Sequence, residues 1–432
     1  MVKDVEKQFR KAEKLYKAMQ YKRAAKIFDF VGDSYSKLNG FEFARDCYFD
    51  AAKCSMEENK YLIGLNFLRK AGNASLFRDE YLEANQFFRE AVNYIPNLRS
   101  NSDRNHNYIL FSCLSFLCLF IKGEKEEGLK LVKKIKNFVD DKYFKENPLI
   151  RLITNLTIIT REKNEKYVER IINDFSNLKL REAEVILVKQ ALVIANSYTS
   201  IIMKLSLDKE VYTTNEVIDL SLNIDVKPLL EILKQDFYNY EVKELKINKI
   251  GITLSDNLIS HRRPELPLII EANGTQQTNI LIKPHFQMEN SCIGPISLDF
   301  ELNENLIFMY EIPNLLKPNL ISPPPTLEIS IKSLRPPLID QTFPLEVLIE
   351  NKSEGEALNL NIEIEFPEQI KIMRGTLTKQ IYSLRSNESI RWELSLKPTE
   401  AGDYVITIKS KFNDPDQKLI ESTKEFPLPI KL

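Results

Sequence analysis

Apolar residues recur at every third or fourth position through the first part of the chain and at every second position through the rest. The period changes near residue 197. The first helix sets the pattern: Val5, Phe9, Ala12, Tyr16 and Met19 form one apolar stripe. Lys3, Lys7, Arg10, Lys14 and Lys17 step in the same way and form a separate basic stripe. Further helices are predicted at about 21–38, 41–56, 59–73, 80–94, 106–121, 124–139, 147–160, 163–176 and 180–197, which makes ten helices or five hairpins. Asn39-Gly40 and Gly123 are helix stops. Proline marks the same boundary, with only Pro96 and Pro148 before residue 200 and eighteen prolines after it. The expected architecture is multidomain, α then β: an α-solenoid of helical hairpins followed by two immunoglobulin-like β-sandwiches.

A coarse repeat runs through the helices. Ala24-Ala25 precedes Phe28; Ala44 precedes Tyr48 and Ala51-Ala52; Ala84 precedes Phe87-Phe88 and Ala91. Small residues let neighbouring helices approach and aromatics fill the next layer, as in tetratricopeptide-type hairpins. The period is nearer 40 than 34, and the Trp-Leu-Gly-Tyr signature of ordinary tetratricopeptide repeats is missing, so a plain helical bundle stays open as the alternative. The segment from Ala24 to Ala91 resembles the soluble attachment proteins of vesicle fusion, the SNAP family, and the likeness extends over about 5–197. It implies a twisted array of antiparallel hairpins with an Ala-rich, aromatic-rich inner face. Met19-Gln20-Tyr21 is the nearest counterpart of that family's hydrophobic membrane loop. The family's acidic, Leu-tipped helical C-terminus has no match here, because β-structure begins instead.

In the β half, strands are predicted at 201–208, 217–226, 244–254, 266–271, 277–283, 295–302 and 306–311, with a partly helical connection at 228–240. The stretch Leu205 to Tyr212 followed by Asn215-Glu216 resembles the opening of arrestin-like and immunoglobulin-like sandwiches. The domains are placed at 1–198, 199–313 and 326–432, with a Pro-rich spacer at 314–325 containing Pro323-Pro324-Pro325. In the last domain, Leu358, Leu360, Ile362 and Ile364 alternate with Asn359, Asn361, Glu363 and Glu365, a strand with one dry and one acidic face. Asn351 to Gly355, and Pro398 to Tyr404, resemble turns of CARDB-type immunoglobulin-like modules, with Tyr404 expected to bond backward to the chain. Trp392 is expected in the core. Hairpins followed by tandem sandwiches resemble large subunits of TRAPP-type tethering complexes.

Charge adds what the pattern lacks. The net charge of −1 hides a split, with +8 over residues 1–200 and −9 over the rest. Lys22 and Arg23 continue the basic stripe, and Lys130, Lys133 and Lys134 form a second cluster. These residues, with Lys3, Lys7, Arg10, Lys14 and Lys17, are the candidate partner-binding set. An acidic helical bundle or tether- or coat-like subunits are the expected partners, with an anionic membrane surface as a further possibility. Nucleic acid and a small-molecule substrate are not expected. There is no phosphate loop, no dinucleotide turn and no nucleophile elbow. His106, His261 and His285 lack metal-ligand neighbours, His261-Arg262-Arg263 reading as a loop. No catalytic residue, cofactor or metal is expected, and the chain is read as not an enzyme but a scaffold or adaptor of membrane traffic. A membrane-surface binder and an enzyme-associated regulatory subunit are the alternatives. The apolar run from Tyr108 to Ile121 is shorter than the roughly 20 residues of a membrane span. Its Cys113 and Cys118 are expected as buried thiols. The N-terminus is charged with no leader-like apolar segment, so the expected compartment is the cytoplasm.

Overall fold

The structure is a computed structural model that describes residues 2–271, 274–285 and 290–432, with side chains from residue 4 onward. Helices fill the chain to residue 200: α1 (Val2–Lys17), α2 (Tyr21–Ser36), α3 (Phe41–Glu57), α4 (Tyr61–Leu76), α5 (Tyr81–Tyr94), α6 (Asn101–Ile121), α7 (Lys125–Phe138), α8 (Asp141–Glu146), α9 (Pro148–Glu162), α10 (Lys166–Asp174) and α11 (Glu182–Ser200). From α1 to α6 each helix packs on the next, and α11 returns against α4, α6 and α9.

The helices α2 to α5 begin every 20 residues, at Tyr21, Phe41, Tyr61 and Tyr81. Each preceding turn is built the same way. Met19, Asn39, Asn59 and Asp79 hold φ between 54° and 59°. The next residue, Gln20, Gly40, Lys60 or Glu80, donates its N–H to the carbonyl five positions back, at 2.8–3.0 Å. This satisfies a carbonyl left open at the helix end. Asn59 and Asp79 also accept the hydroxyls of Tyr61 and Tyr81, at 2.8 and 2.6 Å. The period of 40 read from the alanines is therefore two helices of 20. Ala24, Ala44, Gly64 and Ala84 are buried at one position of this frame, and Phe28, Tyr48, Leu68 and Phe88 at another. The glycines set the helix spacing: a Cβ on Gly32 would stand 2.7 Å from the Tyr48 ring, and one on Gly72 would overlap the Phe88 ring.

Some details differ from the sequence reading. The apolar stripe of α1 is buried at Val5 and Ala12, but Met19 lies past the helix end and is 74% exposed. The helix expected from 106 starts at Asn101, capped by Ser100. A short extra helix, α8, is nucleated by the Asp140 side chain, which accepts from the Tyr143 N–H. The run Ile109 to Leu119 is buried inside the helical array. Among the described residues no helix is long and apolar enough to cross a membrane.

The β half begins with β1 (Ile202–Leu207), β2 (Val211–Thr213) and β3 (Ile218–Asp225), then α12 (Lys227–Leu233). It continues with β4 (Leu245–Leu254), β5 (Leu258–Arg262), β6 (Leu268–Ile269), β7 (Thr275–Pro284), β8 (Ile293–Leu302), β9 (Leu306–Ile312) and β10 (Asn319–Ile321). Two four-stranded sheets result, in the orders β1-β3-β7-β5 and β6-β4-β8-β9. β5 was not foreseen; it places His261 at a sheet edge rather than in a loop. Their apolar faces belong to the same core as the helices, which runs from Ala12 through Leu192 to Phe300 and Leu320.

The junction has a specific physical basis. β9 is an edge strand, and open carbonyls on such an edge need partners. The helices supply them. Tyr198 donates its hydroxyl to the Met309 carbonyl at 3.0 Å, Lys122 donates to Asn305 at 3.2 Å, and Lys163 donates to Glu311. The Lys163 ammonium also lies 3.6 Å from the Tyr310 ring centre, and burial pulls its pKa below the usual lysine value. Gly123, with φ 74°, brings its backbone against Ile307, where a Cβ would sit 3.3 Å from the carbonyl oxygen.

The last unit contains β11 (Leu327–Ser333), β12 (Phe343–Asn351), β13 (Ala357–Glu365), β14 (Ile370–Arg374), β15 (Thr378–Leu384), β16 (Ser389–Pro398), β17 (Gly402–Asn413) and β18 (Leu419–Ile430). Two sheets, β11-β12-β16-β14 and β15-β13-β17-β18, enclose a separate core. Trp392 sits half-buried at its rim with Lys379 over the ring. The Tyr404 hydroxyl reaches back to the Glu400 carbonyl at 3.4 Å. The segment 314–325 is not a free spacer. β10 lies within it and pairs in parallel with β2, and the Pro323 carbonyl occupies the space a side chain on Gly355 would need.

Candidate interaction surface

The proposed partner-binding residues fall into two groups on separate elements. Lys7, Arg10, Lys14 and Lys17 lie exposed along α1, and Lys22 and Arg23 follow at the start of α2. Lys3 is in α1, but its side chain lies outside the described residues. α1 packs on α2, which leaves its outer face free. Among the described residues these cations form no ion pair; Arg23 donates to the Gln20 side chain at 3.2 Å. Lys130, Lys133 and Lys134 are exposed on α7, which packs on α6, α8 and α9. There Lys130 is tied to Glu127 at 2.7 Å. The array from α3 to α6 separates the two groups, so they do not form one continuous basic face.

Beside the α1 group lies a groove that single residues did not announce. α2 and α4 flank α3 and form its walls, and α3 forms its floor. At one end Lys22, Lys26, Lys60 and Ile63, with the carboxylates Asp29 and Glu58, surround a cavity of about 300 Å³ over Cys54, Ser55 and Phe67; Lys60 is paired with Glu58 at 3.1 Å. At the other end Ser36, Asn73, Phe77 and Arg181 surround a second cavity of about 320 Å³ over Tyr48. Lys70 spans the groove between them, bonding Asp29 at 2.6 Å and Asp33 at 2.9 Å. Burial works against the Lys70 charge, but the two aspartates outweigh it and raise its pKa. Tyr48 donates to Asp33 at 2.8 Å, and burial with that bond pushes its own pKa up.

The inner face beyond this groove is already occupied. Glu184 of α11 is fully buried and takes two hydrogen bonds from Arg69, at 2.6 and 2.5 Å. Asn73 donates to it at 3.1 Å, and the Arg181 backbone N–H at 2.9 Å. Arg181 itself bonds Asn66, and burial lowers its pKa. α11 thus fills the array from α4 to α9 and leaves α1 to α3, with the near wall of α4, as the open end. The 20-residue frame could have located the groove, since positions 22, 26, 63, 67 and 70 fall on its helix faces and 60 in the turn before α4. No local signal marks α11 as the helix that closes the rest. Among the described residues no three His, Cys, Asp or Glu side chains gather as a metal would need.

No protein-family model matches the chain, and no curated protein matches it. Among solved structures it is similar to red sea bream transglutaminase, at 9% identity and TM-score 0.20 over 57% of this chain and 34% of that one. It is also similar to Escherichia coli alpha-2-macroglobulin activated by porcine elastase, at 10% identity and TM-score 0.20 over 54% of this chain and 22% of that one. A Salmonella alpha-2-macroglobulin mutant gives 10% identity and TM-score 0.21 over 53% and 16%. The match covers about a third or less of each of those proteins. The expectation that the chain is not an enzyme is withdrawn here: an enzyme stands among these structures, at a TM-score that argues for neither answer. The overlap is too slight to assign that activity, or any fold family, to this chain.

Proposed function

We propose that the chain is an interaction adaptor in membrane traffic, in which an open α-solenoid holds an acidic partner and two immunoglobulin-like sandwiches present further sheet surface. The observation that carries this reading is the row of unpaired cations Lys7, Arg10, Lys14 and Lys17, leading into Lys22 and Lys26 at the mouth of an apolar-floored groove. Exposed cations with no internal partner attract an external anion and steer its approach. The acidic β half does not supply that anion. At the helix–sheet junction, lysines bond backbone carbonyls of β9 and of Asn305 just before it rather than carboxylates. The apolar lining of Phe67, Cys54 and Ala25 would receive an apolar anchor, and Lys22 and Lys26 would fix the polar rim. An acidic helix of a bundle or of a tethering subunit matches that chemistry. The SNAP-like hairpin pattern and the TRAPP-like order of modules agree with a place in vesicle tethering or fusion complexes.

The test is a pull-down of acidic coiled-coil proteins at 50 and 300 mM salt, with the full chain as bait. Capture that falls with salt, and falls again in a Lys7→Glu, Arg10→Glu, Lys14→Glu variant, supports the reading. Capture indifferent to both overturns it.

A further inference from the structure

The corner where α7 meets α8 has a surface chemistry unlike that of α1. Lys133, Lys134 and Lys136 end α7, and Lys142 and Lys145 lie on α8 after the tight turn at Val139-Asp140. All five are exposed, and among the described residues none stands in an ion pair. Two aromatic rings sit among them. Phe138 is 43% exposed and Tyr143 38% exposed. One face of Phe138 is stacked on Tyr108, with ring centres 3.8 Å apart. The carboxylates nearby are fewer: Asp140, Asp141 and Glu146, of which Asp140 is engaged as the cap of α8.

We propose that this corner is a docking surface for an anionic lipid bilayer, with the five lysines over the headgroups and Tyr143 and the Phe138 edge at the interface. Lysine stems reach a plane from several starting points while their ammonium groups stay hydrated. Aromatic side chains favour the boundary between headgroups and acyl chains. A helix corner meets a flat surface with residues from both helices at once. Single-stranded nucleic acid is the less suited occupant, because it binds by stacking bases on open ring faces, and Tyr108 covers one face of Phe138. The corner is also separate from the α1–α2 groove, so both could be occupied at once.

The experiment is flotation of the full chain with vesicles of phosphatidylcholine alone and of phosphatidylcholine with 30% phosphatidylserine, in low salt. Binding to the anionic vesicles only is expected. Lys133→Ala with Lys142→Ala should weaken it about 25-fold, at roughly fivefold per lysine. Lys332→Ala with Lys371→Ala, exposed on β11 and β14, should leave it unchanged. A polarity-sensitive dye on Tyr143→Cys, in a Cys292→Ser background, should shift to shorter wavelength on anionic vesicles. Circular dichroism verifies that each variant is folded. Absence of flotation, equal loss from the β11–β14 variant, a dye that does not respond, or capture of an oligonucleotide through these lysines without vesicle binding would each overturn the proposal.

Discussion

Glu184 shows how single residues hold the helices in register. Its carboxylate is out of contact with water, yet Arg69, Asn73 and the Arg181 backbone give it four hydrogen bonds. Breaking such a pair from one side strands the other charge, at about 3–5 kcal/mol. Arg69→Met is expected to lose about that much stability in urea unfolding, and Arg69→Met with Glu184→Leu is expected to lose less than the single variant. The cysteines give a second test at this scale. Burial pushes the Cys47 and Cys54 thiols up to about 12, and raises Cys113 and Cys118 as well. Cys292 is only partly buried. Because the thiolate is the reactive form, a maleimide at pH 8 should label the native protein at Cys292 alone and the denatured chain at all five cysteines. Mass spectrometry of labelled peptides checks this; early modification of Cys113 would contradict the packing.

At the scale of elements, the 20-residue frame rests on small residues facing large ones. Gly72→Ala would push into Phe88, and overpacking of this kind costs about 1–3 kcal/mol. Gly72→Ala with Phe88→Leu should recover part of the loss, as neighbours couple non-additively. Thermal unfolding of the four variants of the cycle measures it. Much of this frame was legible in the sequence. The alanines at 24, 44 and 84 and the stop at Asn39-Gly40 mark helix faces and ends, because period and turn chemistry are local. The repeat appeared as 40 rather than 20 because Gly64 takes the place of an alanine in α4. The exposed Met19 was drawn into the stripe of α1 because period alone does not mark a helix end. β5 and α8 were missed for a similar reason: a five-residue edge strand and a six-residue helix carry too few periodic positions. Arg181 entered the groove only through tertiary packing, which spacing along the chain does not encode.

For the whole molecule, the helices and the first pair of sheets share one core, while residues 326–432 have their own. The sequence grammar changes at residue 197, but packing does not respect that boundary, because the open edge of β9 draws its partners from Lys122, Lys163 and Tyr198. Expressed alone, 326–432 is expected to unfold cooperatively in urea, and 1–198 is expected to lose cooperativity, as followed by circular dichroism. A sharp transition for 1–198 matching that of the full chain would contradict a shared core. The basic residues of α1 and the start of α2 take no part in this junction among the described residues, and the proposed function assigns them to a partner. The most direct test of that role is affinity purification from cells of the full chain beside its Lys7→Glu, Arg10→Glu, Lys14→Glu, Lys22→Glu variant, with quantitative mass spectrometry of what accompanies each. The expected result is a set of acidic helical proteins of vesicle traffic that is depleted at least tenfold by the variant; an unchanged set, or one drawn from unrelated processes, would contradict the proposed function.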